Sequence, residues 1–425
     1  KQEFKDKVEL EMEVVARAYE QFKDLQLTSK EEASEFKESK MQLKAKLSGL
    51  NDLLNHKLFS SMVSDASISY EEWLSSHQPF HWLAEYYHIM HSNGGFDVII
   101  GNPPYVKYKR EKCAYSIKNY ITESCGNLYA FCMERSYTLS KTAIVGMIIP
   151  LSSICAKNMD KLRNIVCKYD SWVSSFEIRP SKLFEGVDQR VSILITNNLC
   201  NNQTLSTAIM RWDTECRKIL FKQLYYSLTV TEERIWRFSN IKELSIYKKF
   251  CTHHPIAKEI SNEGNNYIHY RSAGLRYWII FLLSEFGTDS LSNKVENKEV
   301  SQAIMAGLNS NLFWWYYSTN YDMFNLTESN ITEFRLNYMN DHKIEELAEK
   351  LDIDLYNKRS RLVTNKTNGG TNLSFAYKKK LSKPIIDEID KLLAKHYGFT
   401  EEELDFIINY DIKYRMGDEL NKDEE

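Results

Sequence analysis

One stretch restricts this chain more than any other. The apolar run Val98-Ile99-Ile100 ends at Gly101 and is followed at once by Asn102-Pro103-Pro104-Tyr105. A short apolar run bounded by glycine predicts a buried strand. The two prolines fix φ, remove two N–H donors and hold the preceding residue extended, so neither helix nor ladder continues past Gly101. The turn therefore sits at the carboxyl end of a strand, where open α/β sheets place their ligands. Asn102 brings a side-chain carbonyl acceptor, the Pro103 carbonyl is a second, and Tyr105 offers a flat ring. Two fixed acceptors beside a stacking ring suit a planar group bearing an NH2. Accepting both amine hydrogens turns the nitrogen lone pair out of conjugation and aims it at an electrophile, which is catalysis by positioning and preorganised dipoles.

The residues downstream extend the same pattern. Asn127 to Leu139 predicts a helix, Ala143 to Pro150 a strand, residues 159–168 a second helix, and Ser174 to Arg179 and Arg190 to Thr196 two further strands. Between those last strands lies Lys182 to Gln189, which contains Phe184. The run Val106-Lys107-Tyr108-Lys109-Arg110-Glu111-Lys112 comes directly after the turn and sets cations where phosphates could be held.

Upstream, residues 1–62 predict a helical hairpin or spacer. Phe4, Val8, Met12, Val15, Tyr19 and Phe22 recur at helical steps, Leu27-Thr28-Ser29 breaks the pattern, and Leu43, Leu47, Leu50, Leu54 and Leu58 form a second stripe. Glu35 and Lys37 echo the end of a nuclease site, but on a helix they form a solvated face. His77, His81, His88 and His91 are interleaved with aromatics and lack a completing Cys or Glu set, so they predict packed or surface histidines and no metal.

Composition narrows the classes further. No apolar run approaches the length of a membrane span, so no membrane partner is expected. The eight cysteines contain no Cys-x-x-Cys pair and read as buried thiols of a reducing, bacterial cytoplasm. A net charge of −3 makes any DNA surface a local one.

After about residue 205 the apolar segments lengthen and become aromatic, as in Tyr277 to Leu283 and Leu312 to Tyr317. Lys358-Arg359-Ser360-Arg361 and Lys378-Lys379-Lys380 flank a polar stretch, Thr364 to Asn372, that reads as a basic loop region. Arg271, Arg276, Lys358, Arg359 and Arg361 are candidates for phosphate or base-edge contacts with DNA, as are Lys107, Lys109 and Arg110 beside the turn.

The Asn102 to Tyr105 turn, with Pro79-Phe80-His81-Trp82 and Gly94-Gly95-Phe96-Asp97 before it, resembles the adenine-N6 DNA methyltransferase part of Type IIG restriction–modification enzymes. Tyr267 to Arg271, Leu308 to Ser310, Lys383 to Asp387, Tyr397 to Thr400 and Tyr410-Asp411 resemble their target-recognition region. The resemblance implies an α/β fold: the C-terminal half of a Rossmann-like sheet dependent on S-adenosylmethionine (SAM), preceded by the helical hairpin and followed by an α+β target-recognition domain. It implies boundaries at 1–62, 63–205 and 206–425. It also implies double-stranded DNA as partner and a flipped adenine held by Asn102, Pro103, Pro104 and Tyr105. Phe184 then matches the aromatic that closes on the base.

That family also needs a glycine-rich turn and an acidic residue for SAM ahead of the Asn-Pro-Pro-Tyr turn, and residues 1–94 supply neither. The expectation is therefore a partner for this chain, either an N-terminal part of the same polypeptide or a companion subunit. Two other readings stay open: a DNA-binding specificity module without activity, and a protein-glutamine methyltransferase, whose amide substrate also presents an NH2. A phage-exclusion methylase without a nuclease fits the same residues.

Overall fold

The computed structural model describes residues 2–26, 33–62, 68–91, 93–109, 117–199, 201–261, 263–273, 278–285, 290–339, 341–365 and 371–417. Contacts divide the chain into two units: residues 1–148, 168–170 and 194–201, and residues 149–167, 171–193 and 202–425. A mixed α/β architecture is built on a six-stranded, mostly parallel sheet. Its strands are β1 (Val98–Gly101), β2 (Ile144–Pro150), β3 (Asp170–Phe176), β4 (Val191–Asn197), β5 (Thr204–Met210) and β6 (Ser227–Leu228), in the order β1-β2-β4-β3-β5-β6.

In the first unit, helices α1 (Gln2–Gln26) and α2 (Ala33–Met62) are those expected from the apolar stripes. Val15, Leu43 and Leu50 are buried with Ala84 and Tyr87, and Val8, Met12, Tyr19, Phe22, Leu47 and Leu54 pack around them. The expected break at Leu27-Thr28-Ser29 lies outside the described residues. Glu35 and Lys37 are exposed, on a helical face. His81 and His88 are half-buried, His81 Nε2 meeting Asn55 Oδ1 at 2.7 Å and His88 stacking on Tyr19, whereas His77 and His91 are exposed and stack on Trp73 and Tyr87. Among the described residues no group of three or more His, Cys, Asp or Glu could hold a metal, and no helix is long and apolar enough to cross a membrane.

Strand β1 pairs in parallel with β2, from Val98 opposite Ile144 to Gly101 opposite Met147. Helix α3 (Leu128–Leu139) connects them. Gly95, at φ +129°, delivers the chain into β1; a Cβ there would stand 2.7 Å from the Leu139 carbonyl oxygen, so only glycine fits. The expected strand is present but not buried: among the described strands β1 has β2 as its one neighbour, and Ile100 is 79% and Val98 53% exposed.

In the second unit, β3 pairs in parallel with β5, and β5 antiparallel with β6. The strand expected over Ser174 to Arg179 is in fact β3, four residues earlier. Its small polar residues Ser171, Ser174 and Ser175 are fully buried, and Ser175 Oγ lies 2.9 Å from Ser192 Oγ. Hydroxyl pairing thus replaces the apolar run that marks a buried strand. Helix α4 (Asp160–Val166) precedes β3.

The core of this unit is helical. Helices α5 (Ile241–Phe250), α6 (Lys298–Asn309), α7 (Asn311–Asn320), α8 (His342–Asn357) and α9 (Lys383–Tyr397) surround it. Every residue of α7 is buried, as its aromatic run requires. Strands β7 (Asn266–Tyr270) and β8 (Leu291–Val295) form one antiparallel pair, and β9 (Arg359–Asn365) and β10 (Thr371–Tyr377) another. The region expected to be a basic loop is therefore a β-hairpin, whose register runs from Arg359 opposite Tyr377 to Asn365 opposite Thr371. Its glycines, Gly369 and Gly370, lie outside the described residues. Lys379 is buried, its ammonium donating to the Ile279 carbonyl, so it offers nothing to solvent. Of the cysteines, Cys125 and Cys155 are buried thiols, whereas Cys132, Cys167, Cys216 and Cys251 are half-buried; Cys113 and Cys200 lie outside the described residues.

Candidate functional site

The turn Asn102 to Val106 is irregular backbone leaving the carboxyl end of β1. Both flanks are tied. On one side stands the β1–β2 ladder. On the other, the Leu128 amide donates to the Val106 carbonyl at 3.0 Å, the Tyr108 amide to the Gly126 carbonyl at 3.0 Å, and Lys107 bridges Asn127. Pro103 is buried, while Asn102 and Pro104 are exposed. A rigid backbone thus presents an exposed side-chain amide, the arrangement that preorganised acceptors require.

Tyr105 is half-buried, and its use of the hydroxyl could not be foreseen from sequence. The hydroxyl donates to the Ile148 carbonyl on β2 at 3.0 Å, and the ring meets Tyr129 edge to face at 6.2 Å. Burial pushes the phenol up to about 12, so it remains a protonated donor through neutral pH. Tyr105→Phe keeps the ring and removes this tether. The expected cost is about 1 kcal/mol of stability, read by urea unfolding.

A second anchor has no motif in the sequence. Glu134 on α3 is buried, and its carboxylate accepts from the Ile121 amide (2.9 Å), the Thr122 amide (2.8 Å) and the Thr122 hydroxyl (2.7 Å). It fixes the 3-10 turn Ile121–Cys125 that leads into α3. A lone carboxylate on an otherwise buried helix face is the available signal.

Lys107 and Lys109 are exposed beside the turn, and Arg110 lies outside the described residues. In the second unit, Phe184 is half-buried on a braced loop: the Arg217 guanidinium donates to the Lys182 and Leu183 carbonyls at 3.1 and 2.7 Å. Lys182 pairs with Asp188.

The other candidate DNA contacts are unequal. Arg271 is half-buried and donates to the Phe375 carbonyl at 2.9 Å, which binds it to the hairpin. The Lys358 ammonium is held by Asp354 at 2.7 Å and the Leu381 carbonyl at 2.9 Å. The Arg359 guanidinium lies 3.0 Å from the Tyr356 ring centroid and 4.8 Å from that of Phe375. Arg361 is exposed, and Arg276 lies outside the described residues.

Residues 15–184 match the family model described as Eco57I restriction-modification methylase. No curated protein matches. Among solved structures the chain is similar to a DrdV–DNA complex, at 16% identity over 32% of this chain and 17% of that one, with a TM-score of 0.27. It is also similar to a nuclease-deletion mutant of the Type ISP restriction-modification enzyme LlaGI bound to a DNA substrate mimic, at 9% identity over 79% of this chain and 51% of that one, with a TM-score of 0.39. A third is the ATP-dependent Type ISP enzyme LlaBIII bound to DNA, at 13% identity over 66% and 20%, with a TM-score of 0.26. The chain spans about half or less of the length of these three proteins. Over residues 15–184 it is similar to the Eco57I restriction-modification methylases.

Proposed function

We propose that this chain is the catalytic-turn half and the target-recognition region of a site-specific, adenine-N6 DNA methyltransferase of a restriction–modification or phage-defence system. The observation that carries this reading is the tied, exposed turn Asn102 to Tyr105 at the carboxyl end of β1, inside the matched methylase segment. An adenine flipped out of the duplex brings its amino group to the Asn102 side-chain carbonyl and the Pro103 carbonyl. Both acceptors draw on the amine hydrogens, and the lone pair turns out of the ring plane. The Tyr105 ring stacks on the base, its hydroxyl being occupied by Ile148. Lys107, Lys109 and Arg361, which are exposed, meet phosphates in this scheme.

SAM supplies the methyl group in this class of reaction. Among the described residues ahead of β1 the regular elements are all helices, with no strand leading into a glycine-rich turn to bring backbone against such a cofactor. The chain's own part is therefore to hold and orient the amine. Parallel strands are covered on both faces in α/β proteins, yet Val98 and Ile100 on β1 are largely exposed. This supports a partner along β1: an N-terminal part of the same polypeptide or a companion subunit that brings the cofactor site and completes a Rossmann-like sheet. The division into a hairpin (1–62), a catalytic half (63–205) and a target-recognition domain (206–425) belongs to this proposal. The missing cradle equally favours a second reading, a DNA-binding specificity module with no activity.

Isothermal titration with SAM, with and without duplex DNA, separates them. The expected result is DNA binding without SAM binding by the chain alone, and methyl transfer once a cofactor-bearing half is added. Methyl transfer that never returns would leave the specificity module standing, and failure to bind duplex DNA would sink both readings.

A further inference from the structure

We infer that Phe324 and the cavity it borders form a second nucleobase site, one that takes an unstacked base of the bound nucleic acid; this rests on the DNA reading above. The cavity belongs to the second unit, holds about 360 Å³ and is lined by Leu151, Ser152, Ile178, Gln189, Arg190 and Phe324, with Asp188 and Asp322 at its walls. That volume lies in the range of sites for small planar ligands. Leu151 and Ile178 supply apolar surface, and the Ser152 hydroxyl and Gln189 amide supply donors and acceptors of the kind that read a base edge.

Phe324 is 72% exposed, more than any other phenylalanine among the described residues. The backbone around it is fixed from several sides. The Arg190 guanidinium donates to the Asp322 carbonyl (3.3 Å) and the Met323 carbonyl (3.0 Å), while its Nε is held by Glu177 at 2.6 Å. The Phe324 amide donates to Asp322 Oδ1 at 3.1 Å, and the Tyr317 hydroxyl to the Asn325 carbonyl at 3.2 Å. The Leu326 amide donates to the Ser272 carbonyl at 2.9 Å. Met323 holds a left-handed conformation, φ +54°, uncommon for a side chain without a polar group. A largely buried ion pair and several backbone bonds thus keep one aromatic ring in water beside a cavity. A ring so held loses little freedom on stacking, and stacking on any base is tolerant of sequence.

Fluorescence of Phe324→Trp in the whole chain tests this, together with duplex binding by Phe324→Ala, Phe324→Leu and Phe324→Tyr. The probes are a mixed-sequence duplex with one mismatched adenine, the matched duplex, a single strand, free deoxyadenosine monophosphate and SAM. The expected result is quenching by the mismatched duplex and the single strand, and about tenfold weaker binding by the Ala and Leu variants with rescue by Tyr. Quenching by the mononucleotide or by SAM alone would assign the cavity to a free nucleotide or the cofactor and overturn the proposal. Equal binding by all variants, with a silent Trp, would overturn it while leaving DNA binding intact. Rescue by Leu would show that bulk rather than stacking matters and would also overturn it. Failure of the unmodified chain to bind any duplex would instead count against the DNA reading.

Discussion

Asn102→Ala is expected to abolish methyl transfer by the completed enzyme, by about a thousandfold or more, while leaving duplex binding within a few-fold. Removing one preorganised acceptor or donor at a reacting centre costs on the order of 10²–10³ in rate, and here the same group also orients the nucleophile. Asn102 is exposed and contributes no buried surface, so the fold should not register the change. Thermal unfolding of the variant should coincide with that of the parent, and a tritiated-methyl transfer assay should separate them. Asn102→Asp is the sharper probe. It keeps an acceptor but adds charge beside an amine that becomes cationic on methylation, so partial activity is expected from it and none from alanine. Full activity in the alanine variant would remove the turn from the mechanism.

Asp390→Ala is expected to give the largest loss of stability, about 3–5 kcal/mol in urea unfolding at about pH 4, where the carboxyl is protonated and its loss orphans several buried donors. Asp390 lies on α9 and is 2% exposed. Its carboxylate accepts from the Asn311 amide at 3.1 and 3.2 Å, the Asn311 side-chain amide at 2.6 Å and the Leu312 amide at 3.4 Å. These are the first donors of α7, the wholly buried helix, and no water can replace the acceptor. Arg415 completes the network by donating to Asn311 Oδ1 and lying 4.0 Å from the Trp278 ring centroid.

The same residue carries a pH signature. Burial pushes the Asp390 carboxyl up from 3.8 to about 7, against the pull of the Asn311 and Leu312 donors. Between those values the folded state holds a proton that the unfolded state has released. The contribution of Asp390 to stability is therefore full below about pH 4 and declines as pH rises to about 7. Relative to Asp390→Asn, which does not titrate, the parent should lose up to about 4 kcal/mol across that window. A gap independent of pH would show that the carboxylate is ionised without cost.

How far the sequence reveals this molecule depends on how local each cause is. The helical pair α1 and α2 arises from stripes of apolar residues within each helix, and β1 and β2 from continuous apolar runs. Strand β3 starts earlier than its apolar residues suggest because its burial is satisfied by hydroxyls on a neighbouring strand, which no window along the chain displays. The β9–β10 hairpin resembles a loop in sequence because β9 opens on basic residues and a polar stretch follows, although Leu373, Phe375 and Tyr377 alternate along β10 as a strand's residues do. At the site, the rigidity of Asn102 to Tyr105 is legible from two prolines. The tether from Tyr105 to Ile148 spans 43 positions and that from Arg190 to Met323 spans 133, so neither can be read from spacing. Cations show the same limit: Lys358 and Arg359 look free in sequence and are engaged in the fold.

Strand β1 has one described neighbour and carries the turn at its end. A chain that paired with its open side would restrict the turn, and thermodynamic reciprocity then couples the two events. Whatever free energy such pairing lends to a ligand held by Asn102, that ligand lends back to the pairing in equal measure. Substrate would then act as an adhesive between the halves, and apparent assembly affinity would become a readout of occupancy at the turn.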